Sequence, residues 1–113
     1  VLREACGEAD PELLPRIRLP RDWIGRRVSD LSEGQRARVG ILRSVSRLNN
    51  NGLLIVDESL AGLDAGTRSH ILSYLSKMRN ERGIAVLLIS HDPEPAAQLG
   101  ARMLRMDSGR MAA

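Results

Sequence analysis

Phenylalanine is absent from the 113 residues, and Trp23 and Tyr74 are the only aromatic side chains. A core for this chain must therefore be built from Leu, Ile, Val, Met and Ala, which suits a parallel sheet covered by helices better than an aromatic-rich sandwich. The same lack removes the stacking platforms that single-stranded nucleic acid needs beside basic residues. The net charge of +3 is spread along the chain and carried almost entirely by arginine, so it describes a solvated surface, and no nucleic-acid partner is expected. Cys6 is the only cysteine, which excludes an internal disulfide and points to a reducing compartment. His70 and His91 stand too far apart to give metal-ligand spacing. The longest apolar run, Ile84 to Ile89, falls far short of a membrane span, and Arg3, Glu4, Glu8 and Asp10 interrupt any signal-peptide core. The length fits one small domain rather than two, and a first residue of Val instead of Met is what an excised or incomplete piece would show.

What is present is a pattern of alternating helices and strands. Residues 1 to 30 read as short helices broken at Pro15 and Pro20, one over Val1 to Ala9 and one from Pro11 behind an Asp10 cap, with Trp23 and Ile24 as a small apolar cluster. From Ser32 a helical period runs to about Leu48, with Val39, Leu42 and Val45 on one stripe and Arg36, Arg43 and Arg47 largely off it. Asn49 to Gly52 ends it with residues that tolerate left-handed backbone. Leu53 to Val56 is a continuous apolar run, read as a strand buried on both faces. Asp64 to Asn80 repeats the helical period through Ile71, Leu72, Leu75 and Met78, with Gly83 beyond its end. Ile84 to Ile89 reads as a second doubly buried strand, completing a βαβ unit. A short helix behind Asp92 and Pro93 closes at Gly100, and Met103 to Met106 reads as an edge strand turning at Asp107 to Gly109.

Three places on this frame carry chemistry. Ser32 followed by Gln35 fits a capping box, whose remaining first-turn amides and helix dipole face outward toward an anion, with Gly34 offering no side chain to block the approach. An ordinary helix cap has the same pattern. The first strand delivers Asp57 and Glu58 to the carboxyl edge of the sheet, where open α/β folds bind their ligands. There an aspartate suits a hard cation and a glutamate suits a general base, although acidic residues at a strand end also serve as loop or helix caps. The second strand delivers His91 to the same edge, as a phosphate donor or as a plain strand-end residue. Ser90, His91 and Asp92 do not form a hydrolytic triad, because neighbours on an extended chain point to opposite faces.

Together the segments LSEGQRARV, LLIVDE, AGLD and LLISHD resemble, in order and spacing, the signature, Walker B, D-loop and switch-histidine motifs of the ATP-binding cassette (ABC) ATPases. The resemblance covers roughly residues 25 to 111. Glu33 stands where the family usually has the first glycine of its signature pair, and Ser59-Leu60 replace the common Pro-Thr after the glutamate. The resemblance implies an α/β fold, the C-terminal part of a RecA-like P-loop NTPase with mainly parallel buried strands. Residues 1–48 would end the helical subdomain and carry the signature helix, and residues 49–113 would belong to the ATPase core. It further implies ATP and Mg2+ as cofactors, with Asp57 as metal ligand and Glu58 and His91 as catalytic groups. Ser32, Gly34 and Gln35 would reach nucleotide held by a second ABC ATPase subunit, and Asp64 would touch that subunit from the D-loop. Transmembrane permease subunits would then hold the protein at the cytoplasmic face of the membrane.

No GxxxxGK[ST] phosphate loop occurs in the sequence. A missing N-terminal half with the Walker A motif is therefore expected as a further partner, and the 113 residues alone are expected to be inactive. Two other readings stand beside transport: a non-transport ABC ATPase, for DNA maintenance, translation or phosphonate breakdown, and a non-catalytic dimerisation fragment. The first lacks the heptads or the Asn-His before the D-loop that would favour it, and the second sits poorly with an intact Asp57-Glu58 pair.

Overall fold

In the computed structural model, residues 12–19 and 21–112 are described. The helix expected over Val1 to Ala9 and the Asp10 cap lie outside them. The described chain opens with a one-turn helix, α1 (Leu13–Arg16), and two 3-10 turns, Arg21–Gly25 and Val28–Asp30. The long helix α2 (Glu33–Ser46) follows, then strand β1 (Leu53–Asp57), helix α3 (Ala65–Arg82) and strand β2 (Ala85–Ile89). Helix α4 (Glu94–Leu99) and a hairpin of β3 (Met106–Asp107) and β4 (Arg110–Met111) complete it.

The βαβ unit is present: β1 and β2 pair in parallel, with Leu53 opposite Ala85 and Asp57 opposite Ile89. Helix boundaries follow the local chemistry. Ser32 caps α2 through a complete capping box, and Asp64 caps α3 by accepting from the Thr67 amide. Gly83 and Gly100 end α3 and α4 in left-handed backbone, as the sequence indicates. The core is aliphatic around one buried tyrosine: Val39, Ile41, Leu42 and Val45 of α2, Ile71, Leu72, Tyr74, Leu75 and Met78 of α3, and Leu13 and Ile17 belong to one buried cluster. Trp23 is buried with them.

The strands depart from expectation. Leu54 and Val56 are each 5% exposed, whereas Leu53 and Ile55 are 57% and 56% exposed. Leu87 and Ile89 of β2 are exposed as well, while Val86 and Leu88 pack against the core. Both strands are thus buried on one face only. The physical reason is the period of two along a strand: helices cover one face of the pair, and alternate residues project from the other. The expected edge strand over Met103–Met106 is also reduced. Only Met106 and Asp107 pair, with β4 rather than with β2, so the turn is present but does not widen the parallel sheet.

Candidate functional site

Because β1 and β2 run parallel and in register, they end at the same edge. The ladder continues one residue further, where the Glu58 amide donates to the Ile89 carbonyl at 2.9 Å. This bond fixes the start of the loop after β1 against the end of β2. Glu58 adopts a positive φ of 55°, a conformation that costs a non-glycine residue about 1–3 kcal/mol and that the surrounding bonds must hold. The result is a hydrogen-bonded contact: Glu58 Oε1 meets His91 Nδ1 across the strand ends. An ionised carboxylate only accepts, so Nδ1 carries the hydrogen and donates, and Glu58 Oε2 and His91 Nε2 remain for other partners. The imidazole is 96% exposed, so Nε2 faces solvent. Ser90 and Asp92 do not converge with it; Ser90 Oγ accepts from the Asp92 amide at 3.0 Å, and Asp92 Oδ1 accepts from the Glu94 amide at 3.0 Å to start α4.

Asp57 ends β1 beside this pair and is exposed. Among the described residues, no three carboxylate, histidine or cysteine groups converge as a metal cage. Asp57 therefore presents one carboxylate, a hard-oxygen group of the kind that a cation with a shell otherwise filled by phosphates and water could take from a protein.

At the start of α2, Ser32 Oγ accepts from the Gln35 amide at 3.2 Å, and Gln35 Oε1 accepts from the Ser32 amide at 2.9 Å. The box uses one acceptor oxygen of each side chain and leaves the Ser32 O–H and the Gln35 Nε2 donors available. The amides of Glu33 and Gly34, first-turn donors without intrahelical acceptors, are what the backbone of the turn offers an anion. Gly34 also meets a close approach: a Cβ there would lie 3.1 Å from the Gly62 carbonyl oxygen. The signature turn and the loop after Glu58 are therefore in contact within one chain. That loop is itself turned tightly, with Ala61 N donating to Glu58 O and Leu63 N donating to Leu60 O.

Asp64 ends this loop. Its Oδ1 accepts from the Thr67 amide and its Oδ2 from Thr67 Oγ1, both at 2.8 Å. Those bonds, the amide first, hold its carboxyl below the usual aspartate value, with Arg18 and Arg38 adding positive charge nearby. The structure thus brings Glu58 and His91 together, sets Asp57 beside them, and ties Gly34 to the loop between. Within the chain Asp64 serves as a helix cap.

The sequence gives no separate role to Arg18 or Arg38, and it shows Gly62 only as part of the AGLD segment. Arg38 reads as one more solvated arginine on a basic helix, yet its guanidinium lies over the Trp23 ring, 5.4 Å from the centroid. A lone tryptophan upstream of an arginine-rich helix was the available signal.

No family model matches the chain. Individual proteins do. It is 38% identical to the molybdenum import ATP-binding protein ModC of Bordetella pertussis over 90 residues, which cover 80% of this chain and 24% of that protein. It is 34% identical to a probable peptide ABC transporter ATP-binding protein of Sinorhizobium fredii over 104 residues, 92% of this chain and 29% of the relative. A thiamine import ATP-binding protein of Brucella abortus, ThiQ, is 38% identical over 88 residues, 78% of this chain and 36% of the relative. The aligned segment therefore spans between 24% and 36% of the length of these relatives.

Proposed function

Starting from its homology to ATP-binding proteins of ABC transporters, we propose that this chain is the C-terminal part of an ABC importer's ATP-hydrolysing subunit. Residues 1–48 end the helical subdomain, and residues 49–113 belong to a RecA-like core. The observation that carries the reading is the Glu58–His91 pair at the carboxyl edge of a parallel sheet, directly after Asp57. The relatives' cargoes are molybdenum, peptide and thiamine, so what they have in common is ATP binding. Their import and transporter names favour transport over the non-transport branches.

Bound MgATP supplies the phosphoryl group to be transferred and the cation that neutralises its charge. Asp57 offers that cation one carboxylate oxygen. Glu58, with Oε1 held by His91, presents Oε2 to an attacking water and accepts its proton. His91, oriented by Glu58, donates from Nε2 to a phosphate oxygen when the ring is an imidazolium. The first turn of α2 donates its Glu33 and Gly34 amides to nucleotide held by a second ATPase subunit, and Asp64 meets that subunit at the same interface.

The sequence contains no GxxxxGK[ST] loop to cradle the α- and β-phosphates, and the open face of the sheet is consistent with a further segment supplying one. Leu53, Ile55, Leu87 and Ile89 form that face, and Ile55 also lines a groove of about 150 Å³ between α2 and β1. Burying the exposed half of each side chain is worth roughly 1 kcal/mol, or about 4 kcal/mol for the four. We assign this face to the segment that carries the phosphate loop. No helix among the described residues is long and apolar enough to cross a membrane. By analogy with the transporter relatives, permease subunits hold the protein at the cytoplasmic face.

In the subunit completed with its phosphate-loop segment, Glu58→Gln is expected to reduce ATP turnover by at least about 100-fold while ATP-dependent dimerisation persists. Steady-state phosphate release and light scattering check both halves. Unchanged turnover would remove Glu58 from the base role.

A further inference from the structure

Arg38 lies one turn beyond the anion-facing start of α2, and its side chain turns back toward residues that precede the helix. Its Nε donates to the Gly34 carbonyl at 3.4 Å, and its Nη1 donates to the carbonyls of Arg18 at 3.2 Å and Ile17 at 3.5 Å. The Trp23 ring covers the same guanidinium. A planar fork with several donors and a flat face is what such a site requires; a lysine ammonium cannot serve the carbonyls and the ring together.

Arg18 extends the connection. It holds a positive φ of 52° between the carbonyl that receives Arg38 and a side chain that reaches Asp64 Oδ1 at 3.7 Å. Gly66, in the first turn of α3, leaves room for it: a Cβ there would lie 3.1 Å from Arg18 Nη2. Glycine inside a helix costs roughly 0.5–1 kcal/mol relative to alanine, so the space is maintained against local helix preference. The Arg18–Asp64 pair is more than half exposed on both sides and contributes little stability by itself. Its place in the fold matters more. With the Gly34–Gly62 contact, it gives the loop from Glu58 to Asp64 two attachments to the start of α2.

We propose that Arg38, acting through the Ile17–Arg18 carbonyls and the Gly34 turn, is a positioning residue that holds the anion-facing end of α2 in fixed register with the loop from Glu58 to Asp64. The inference rests on the ATPase reading of these two segments. It assigns Arg38 no contact with nucleotide. The bracket ties the turn that serves the partner's nucleotide to the loop that begins at this chain's own Glu58. Loosening it weakens engagement of the partner's nucleotide and leaves the Glu58–His91 pair in place.

Two measurements test it. In the 113-residue chain, Arg38→Gln is expected to change the emission of Trp23, the only tryptophan, and to speed amide hydrogen exchange at Gln35 and Arg36, whose amides are bonded to Ser32, with far-UV circular dichroism retained. In the subunit completed with its phosphate-loop segment, Arg38→Gln and Arg38→Lys should each raise KM for ATP about tenfold and leave kcat within about twofold. Arg18→Gln should raise KM by a smaller factor. Unchanged emission and exchange in Arg38→Gln would remove the bracket. Altered exchange with an unchanged KM, or full rescue by Arg38→Lys, would make Arg38 structural only and overturn the proposal. Absence of ATP turnover in the unsubstituted, completed subunit would overturn the ATPase reading itself, an outcome distinct from a failed KM shift.

Discussion

The two faces of β1 are made of the same kinds of residue and have opposite surroundings. Leu54 and Val56 are sealed under the helices, while Leu53 and Ile55 stand more than half exposed one residue away. On the covered side, α2 and α3 complete a dense aliphatic core with Tyr74 and Thr67 fully enclosed. The open side continues across Leu87 and Ile89 of β2, and Met103, Leu104, Met106 and Met111 near the end of the chain are exposed too. An apolar face left open on a parallel sheet is unusual, because such sheets normally carry helices on both faces. The difference separates what this chain stabilises by itself from what a further segment would complete.

Substitutions across the strand should break that symmetry most clearly. Leu54→Ala is expected to destabilise the 113-residue chain by about 2–5 kcal/mol, the cost of an internal cavity, whereas Ile55→Ala should cost less than about 1 kcal/mol. Urea denaturation followed by circular dichroism gives both values. In the completed subunit the two costs should converge. Equal costs in the 113-residue chain would mean that the open face is already covered, for instance by self-association.

A smaller effect tests the exposed cap that Asp64 gives α3. Its folded-state pKa lies below the unfolded value of 3.8, so its stabilising contribution is fully present above the unfolded value and is lost as pH falls through the lowered folded one. Asp64→Asn should therefore flatten the decline in stability below about pH 4, and an unchanged acid limb would dismiss the cap as a source of pH dependence.

The sequence displayed the covered side better than the open one. The Ser32–Gln35 box, the Asp64 cap and the glycines closing α3 and α4 are local, so the residues that form them sit within a turn of one another. The exposure of Leu53 and Ile55 is not local. A run of apolar residues looks the same whether helices cover one face or two, and only the tertiary arrangement decides. Asp57, Glu58 and His91 were legible as strand-end residues, but the contact between Glu58 and His91 depends on strand register and on the left-handed backbone at Glu58. Arg38 was hidden for a different reason: on a helix with several arginines, nothing in its spacing distinguishes the one that folds back onto Trp23.

The central claim is that these residues hold catalytic groups for an ATP site they cannot complete alone. Phosphate release by the purified 113-residue chain, free of contaminating ATPase, measured with and without the phosphate-loop segment of the subunit, tests it most directly. The account predicts negligible release from the chain alone and sustained turnover on assembly. Robust turnover by the chain alone, or none by the assembly, would contradict it.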